Sequence, residues 1–248
     1  RRWPLAHGRL WGPALLWLVA GIAAVERVPF PMDWSTLDQC AIGLERFLDP
    51  PAGRHGFLRE RNGHLVFDDG TRFRIWGVNL TGAACAPAAD QAAPLAERLA
   101  RLGINAVRFH MLDAGVLFVP GAPDTRQLDT NALDRLDRLV AELKRRGIYV
   151  NLNLNAGRRY RPADGVRDAD QLYYGKAATF FNRRLIELQQ EFARQLLTHS
   201  NPYTRAEYRH EPAVATIELV NENSLLEAWV SGRLVGQTVT NPHTWSPL

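Results

Sequence analysis

Four short apolar runs, residues 73–80, 104–109, 148–154 and 214–220, alternate with longer segments whose apolar residues recur at helical spacing. No other feature constrains the fold as tightly. Runs of this length bounded by turn residues suit strands covered on both faces. Strands separated by helices join in parallel through right-handed crossovers. The helical segments are residues 91–102, with Leu95, Leu99 and Leu102 on one face, and 131–146, with Leu133, Leu136, Leu139, Val140 and Leu143. A third, 177–199, carries Phe181, Leu185, Leu188, Phe192 and Leu196. Gly103 and Gly147 stop the first two and Asn201-Pro202 ends the third, as helix termination requires. Ahead of the first run, Asn62-Gly63 separates residues 57–61 from 64–67, and Asp68-Asp69-Gly70 separates that strand from 72–76. Both are hairpin signals. The expected class is α/β, a parallel sheet led in by a small β-hairpin.

The strand ends are polar: Asn79, Arg108 and His110, Asn153 and Asn155, then Asn221-Glu222. The carboxyl edge of a parallel sheet is where α/β folds gather their chemistry. A lone Glu at a strand end could simply cap the next helix or meet an Arg. Four successive strands with such ends favour an enzyme. The arginines on the helices (Arg135, Arg138, Arg145, Arg183, Arg184) are read as solvated faces without function.

At 248 residues the chain is long enough for one large domain with a sizeable core. The net charge is +4, and all but two of the thirty basic residues are Arg, spread along the chain. With no basic helix or aromatic-basic stripe, no nucleic-acid partner is expected. There is no glycine-rich phosphate loop after a strand, no HExxH, no CxxC and no serine elbow, and the seven His lack metal-ligand spacing. Neither metal nor cofactor is therefore expected. Residues 1–25 read as a signal peptide or N-terminal anchor: Arg1-Arg2 precedes an apolar stretch over 10–25 closed by Gly21, Ala23 and Ala24. The stretch is short for a span and contains Gly12 and Pro13, so export to a secreted or periplasmic location is preferred over membrane anchoring. Residues 26–56 form a Pro-rich lead-in with one short helix at 34–47, and 57–248 the main domain. Cys40 and Cys85 could pair in an oxidising compartment or remain two separate buried thiols.

Three pieces, Arg74-Ile-Trp-Gly-Val-Asn-Leu80, Gly103-Ile-Asn-Ala-Val-Arg-Phe-His110 and Glu218-Leu-Val-Asn-Glu-Asn223, together resemble the first half of a clan A glycoside hydrolase, family 5 (cellulase-like) type. The resemblance covers roughly residues 64–229. It implies a (β/α)8 barrel of the TIM-barrel type, truncated to about four βα units, with the small N-terminal hairpin at the barrel bottom. It also implies hydrolysis of O-glycosidic bonds in β-linked poly- or oligosaccharides with retention. By the same resemblance Glu222 is the general acid/base and Asn221 bonds the sugar hydroxyl beside the anomeric carbon. Arg108 would support the nucleophile carboxylate, His110 lies at the same end, and Asn79 and Asn155 would contact sugar. In the loop 156–176, Tyr160, Tyr173 and Tyr174 either contact sugar or pack the loop down.

Retaining hydrolysis needs two carboxyls roughly 5–5.5 Å apart, one delivering a proton and one facing the anomeric carbon. Burial and the neighbouring carboxylate would hold the acid protonated. In family 5 the nucleophile ends strand seven, whereas this sequence stops soon after strand four. Its tail, 230–248, is interrupted by Gly232, Gly236, Pro242 and Pro247 and shows no helical stripe. Glu218 lies about 13 Å from Glu222 along an extended strand, at roughly 3.3 Å per residue, and is not expected to stand in. Asp113 would do so only in a new arrangement. The sequence therefore supplies half a catalytic pair. The alternative is a non-catalytic carbohydrate-binding or structural half barrel, whose two open strand edges would favour self-association. A different barrel enzyme, such as an aldolase or metal-dependent hydrolase, would need a strand-end lysine or a metal pattern that is missing.

Overall fold

The computed structural model describes residues 43–230, apart from 168, 170, 171, 173, 174 and 176. The expected signal or anchor segment, Cys40, Tyr173, Tyr174 and the tail 231–248 lie outside the described residues. So does most of the helix expected at 34–47, of which Glu45–Phe47 forms a short 3-10 turn.

The lead-in hairpin pairs β1 (Leu58–Arg61) with β2 (His64–Phe67) in antiparallel fashion. Asn62 and Gly63 turn it with φ of 55° and 74°, the doubly left-handed backbone that makes Asn-Gly the favoured two-residue turn. The strand expected at 72–76 does not form. Arg72 makes only an isolated bridge to Val66, and Phe73 turns inward to pack at a tilt on Phe67 and Tyr149, with centroids 5.2 and 4.9 Å away. Burial of the ring outweighs continuation of the ladder.

Three βα units follow: β3 (Gly77–Thr81) with α1 (Ala92–Arg101), β4 (Ala106–His110) with α2 (Thr130–Arg145), and β5 (Tyr149–Asn153) with α3 (Arg183–Thr198). A two-residue hairpin not foreseen from sequence, β6 (Ser200–Asn201) and β7 (Ala206–Glu207), precedes β8 (Val214–Glu218), and α4 (Leu225–Val230) begins the fourth unit. The sheet order β3-β4-β5-β8 is parallel throughout. α2 is capped by the Asp129 carboxylate, which accepts the Asn131 and Ala132 N–H groups. α3 starts at Arg183 rather than near 177, because Ala177 has φ of 65° and Ala178–Phe180 forms a tight 3-10 turn. The Asn182 side chain then caps the Leu185 N–H at 3.2 Å. β8 closes at Glu218, opposite Asn153 at the end of β5, so Leu219 and Val220 lie beyond the ladder and are exposed.

Alternation along the strands separates two faces. Val107, Phe109, Val150 and Leu152 point to the helices and join Leu99, Leu136, Leu139, Leu143 and Phe192 in the main core. The opposite, concave face is layered by register. At the amino end Ala106, Tyr149 and Ala213 pack with Phe67 and Phe73. Above them Asn79, Arg108, Asn151 and Thr216 share one level. Thr81 pairs with His110, and Asn153 with Glu218, at the next level. An apolar plug thus carries two polar tiers. No helix of the described residues is long and apolar enough to cross a membrane.

Candidate active site

The upper tier is organised by one ion pair. The Arg108 guanidinium donates through Nε and Nη2 to the two Glu218 oxygens, both at 2.6 Å, and Nη2 also donates to Asn221 Oδ1 at 2.9 Å. A planar guanidinium can serve both acceptors at once because its donors sit in a fixed fork. The pair is partly covered, with side-chain exposures of 25% and 27%. The Arg108 bonds hold the Glu218 carboxyl below its ordinary value against the opposing effect of burial, and Asn153 and His110 act in the same direction. Arg108 is raised by the same contact. Glu218 is therefore an anion that fixes Arg108.

Arg108 in turn fixes the strand-end turn. Asn221 is held by its side chain to Arg108 and by its backbone N–H to the Asn155 carbonyl at 2.8 Å. Glu222 follows with φ of 46°, a left-handed backbone costing a non-glycine residue roughly 1–2 kcal/mol. Its carboxyl is exposed, yet close enough to Arg108 to interact with it electrostatically. The burial expected around this acid is thus not supplied by the described residues. Asn223 Oδ1 accepts the Ala177 N–H and its Nδ2 donates to Thr179 Oγ1, each at 2.6 Å.

Of the residues anticipated from sequence, Arg108, Asn221, Glu222 and His110 come together at the carboxyl end. Asn79 lies exposed on edge strand β3, in register with Arg108. Asn155 is buried, 4% exposed, beneath the rim, so its carbonyl serves Asn221 while its Nδ2 finds no partner. Among the described residues, the carboxylate that Arg108 holds is Glu218. Glu218 was legible as a charge inside a buried strand, which must find an opposite charge in the sheet, and Arg108 occupies the matching position on β4.

Asp113 is not a candidate nucleophile. It is 1% exposed and accepts the Ala156 and Gly157 N–H groups at 3.0 Å, tying the loop after β4 to the loop after β5. Burial pushes its carboxyl up. Tyr160 is likewise buried and packs its loop: the Arg158 guanidinium lies 5.4 Å from its ring and 4.8 Å from Phe118. Arg158, 2% exposed, donates to Thr125 Oγ1, the Thr125 carbonyl and the Leu188 carbonyl. It went unremarked in the sequence because nothing distinguishes it from the surface arginines. Cys85 is a free, buried thiol whose Sγ faces the Leu80 carbonyl at 3.2 Å; burial pushes it up to about 12. Among the described residues, no cluster of three His, Cys, Asp or Glu side chains is placed to hold a metal ion.

Below the rim, the concave face encloses a cleft of about 530 Å³ lined by Trp76, Asn79, Arg108, Asn151 and Thr216 among others. Glu222 does not line it. Asn151 Nδ2 donates to Thr216 Oγ1 at 2.8 Å, while its buried Oδ1 has no partner.

No family model matches the sequence, and no curated protein sequence matches it. Solved structures do. The endo-1,4-β-mannanase from Rhizomucor miehei superposes with a TM-score of 0.53 at 16% identity, over 67% of this chain and 48% of that one. A glycoside hydrolase family 5 mannosidase from Rhizomucor miehei gives 0.50 at 16% identity, over 68% and 49%. The same mannosidase, as a mutant in complex with mannosyl-fructose, gives 0.51 at 12%, over 68% and 49%. The chain therefore has the fold of part of a family 5 glycoside hydrolase barrel, and it spans about half the length of the structures it matches.

Proposed function

We propose that the protein is a glycoside hydrolase of the family 5 type acting on β-linked glycans by the retaining route. Glu222 is its general acid/base. The observation that carries this reading is the bonded chain Glu218–Arg108–Asn221, which fixes an Asn-Glu pair at the carboxyl edge of a parallel sheet. In the proposed reaction Glu222 protonates the leaving oxygen as the glycosidic bond breaks and the anomeric carbon bonds to a nucleophilic carboxylate; it then deprotonates the water that displaces that carboxylate. Asn221 holds the adjacent sugar hydroxyl, with His110 and Asn79 nearby, and Asn155 supports Asn221 from below. The nucleophilic carboxylate is not assigned to a described residue, since Glu218 is engaged with Arg108 and Asp113 with backbone N–H groups. Mannose-containing substrates come first because the structural neighbours include a mannanase and a mannosidase in complex with mannosyl-fructose.

The test is a panel of aryl β-mannosides, β-glucosides and β-galactosides, assayed with and without azide or formate as a small external nucleophile. Turnover that disappears in Glu222→Gln supports the reading. Calorimetric binding of manno- or gluco-oligosaccharides without any turnover favours a carbohydrate-binding module instead. Neither binding nor turnover would sink the glycan assignment altogether.

The same reading includes self-association. Among the described residues β3 and β8 each have one unpaired edge, and Ile75, Trp76, Leu219 and Leu226 are exposed. Open edges with apolar neighbours invite pairing. Sedimentation velocity across a concentration series should show a concentration-dependent species, and a monomer throughout would refute this part. Export, expected from residues 1–25, belongs to the proposal too, and fractionation of a tagged full-length chain tests it.

A further inference from the structure

The residue after the acid/base has no part in the chemistry just described, yet its side chain is tied to a neighbouring loop. Asn223 uses both ends of its amide. Its Oδ1 accepts from the Ala177 backbone N–H, and its Nδ2 donates to Thr179 Oγ1, both at 2.6 Å. Ala177 is fully buried and Thr179 is 6% exposed. Both partner groups belong to the end of the long loop between β5 and α3, and both depend on that loop's unusual backbone. Ala177 stands at φ of 65°, directly before the tight turn Ala178–Phe180. On the other side of the latch, Glu222 stands at φ of 46°. Two left-handed non-glycine residues thus face each other across one side chain.

We propose that Asn223 is a positioning residue. It locks the β5–α3 loop to the strand-end turn, so that loop and Glu222 carboxyl are held as one unit and the proton is delivered from a fixed direction. The inference rests on Glu222 being the general acid. Three observations converge on it. The turn is already fixed on its other side, where Asn221 bonds Arg108 and the Asn155 carbonyl. The backbone at Glu222 is one that an L residue rarely adopts unless its surroundings impose it. Asn223 directly follows Glu222, so a latch on its side chain fixes the stretch of backbone from which the Glu222 side chain extends. An amide suits the task because it offers an acceptor and a donor on one short stem. Aspartate could replace it: the carboxylate would accept from Ala177, and the Thr179 hydroxyl could rotate to donate to it.

The experiment compares the wild-type protein, Asn223→Ala and Asn223→Asp. Hydrogen exchange of peptides spanning residues 172–182 reads the latch. Turnover of two aryl glycosides of one sugar, with a dinitrophenyl and a much more basic phenyl leaving group and with azide or formate supplied as the nucleophile, reads proton delivery. Acid catalysis matters in proportion to the basicity of the leaving group, so loss of aim should be selective. Asn223→Ala is expected to speed loop exchange and to slow the basic substrate at least tenfold (a part of the roughly 10²–10⁴-fold contribution of a general acid), sparing the dinitrophenyl glycoside. Asn223→Asp should restore loop protection and most of the selectivity. Equal slowing of both substrates, or no change in either, would overturn the positioning role. Loop exchange indifferent to the Asn223 side chain would overturn the latch itself. A wild-type protein inactive on every glycoside would instead remove the catalytic reading beneath both, whatever the exchange shows.

Discussion

The two ends of the parallel sheet are built on opposite principles. At the amino end, Phe67, Phe73 and Tyr149 stack within 4.9–5.2 Å of one another over Ala106 and Ala213, and the hairpin β1–β2 closes the plug. At the carboxyl end the same strands turn Arg108, His110, Asn153 and Glu218 inward, and the rim adds Asn221 and Glu222. Buried polar atoms without partners, such as Asn151 Oδ1 and Asn155 Nδ2, lie in or just below these polar tiers, each costing about 1–3 kcal/mol by ordinary accounting. The amino end is closed by packed rings; the carboxyl end is lined by polar and charged side chains. Such a split is the expected division between scaffold and site in parallel α/β sheets.

The sharpest way to break the comparison is to substitute one residue at each end. Glu222→Gln keeps the shape of an exposed side chain. It should cost about 10²–10⁴-fold in turnover of aryl glycosides with basic leaving groups, assayed with azide or formate as the nucleophile, with an unchanged urea midpoint. Phe67→Ala removes a ring that is 3% exposed and should cost about 3–5 kcal/mol of stability, measured by urea unfolding. If Glu222→Gln unfolds the protein, or Phe67→Ala leaves its stability intact, the two ends are not divided in this way.

How much of this was legible in the sequence follows from the same division. The helix faces, the glycine stops and the Asn62-Gly63 turn obey local rules, and the expected elements form within a few residues of their predicted ends. The failures occur where tertiary burial overrides a local signal. Residues 73–76 read as strand, but Phe73 is drawn into the plug. Residues 177–182 read as helix because Phe181 fits the apolar stripe, but the loop beside Glu222 holds them in a tight turn. At the rim, Arg108 and Asn221 were found by the company they keep at strand ends. The pairing of Glu218 with Arg108 is harder to read, because distance along one strand says nothing about a partner on another.

Glu218→Gln sharpens the comparison within the carboxyl end. It removes the charge facing Arg108 while keeping an acceptor, so Arg108 is left with one weakened contact and Asn221. With both side chains about a quarter exposed, water screens part of the loss, and about 1–2 kcal/mol is expected at neutral pH. The pH dependence has a definite sign. Glu218 is lowered in the fold, so its contribution is full above its unfolded value, about 4.3, and is lost as pH falls through the lower folded value. Urea midpoints of the wild type and Glu218→Gln should therefore differ at pH 7 and converge in acid. A gap that persists undiminished at pH 3 would show that the loss is one of shape and not of charge.

The smallest effect tests the amino end and runs with pH in the other direction. His55 lies between two carboxylates, with Nδ1 2.5 Å from Asp69 and Nε2 2.6 Å from Asp49, and its ring stacks on Phe67 at 5.7 Å. A neutral imidazole has one N–H and could donate to only one of them; both bonds require the imidazolium. The clasp joins the lead-in segment to the turn after β2, with Arg54 also paired to Asp49 and Tyr149 nearby. Asp49 first, then Asp69, raise the His55 pKa, and Asp69 is lowered to about 2, chiefly by the Thr71 N–H and then by His55. The stabilisation from His55 is thus complete below its unfolded value, about 6.5, and is lost as pH rises through the higher folded value. The carboxylates are largely exposed, so the effect is modest. Thermal unfolding of the wild type and His55→Gln should show a gap at pH 6 that closes toward pH 9, the reverse of the acid-side convergence expected for Glu218. Were the gap to widen with pH instead, the ring would be neutral in the fold, and the lead-in would be held to the plug by stacking on Phe67 alone.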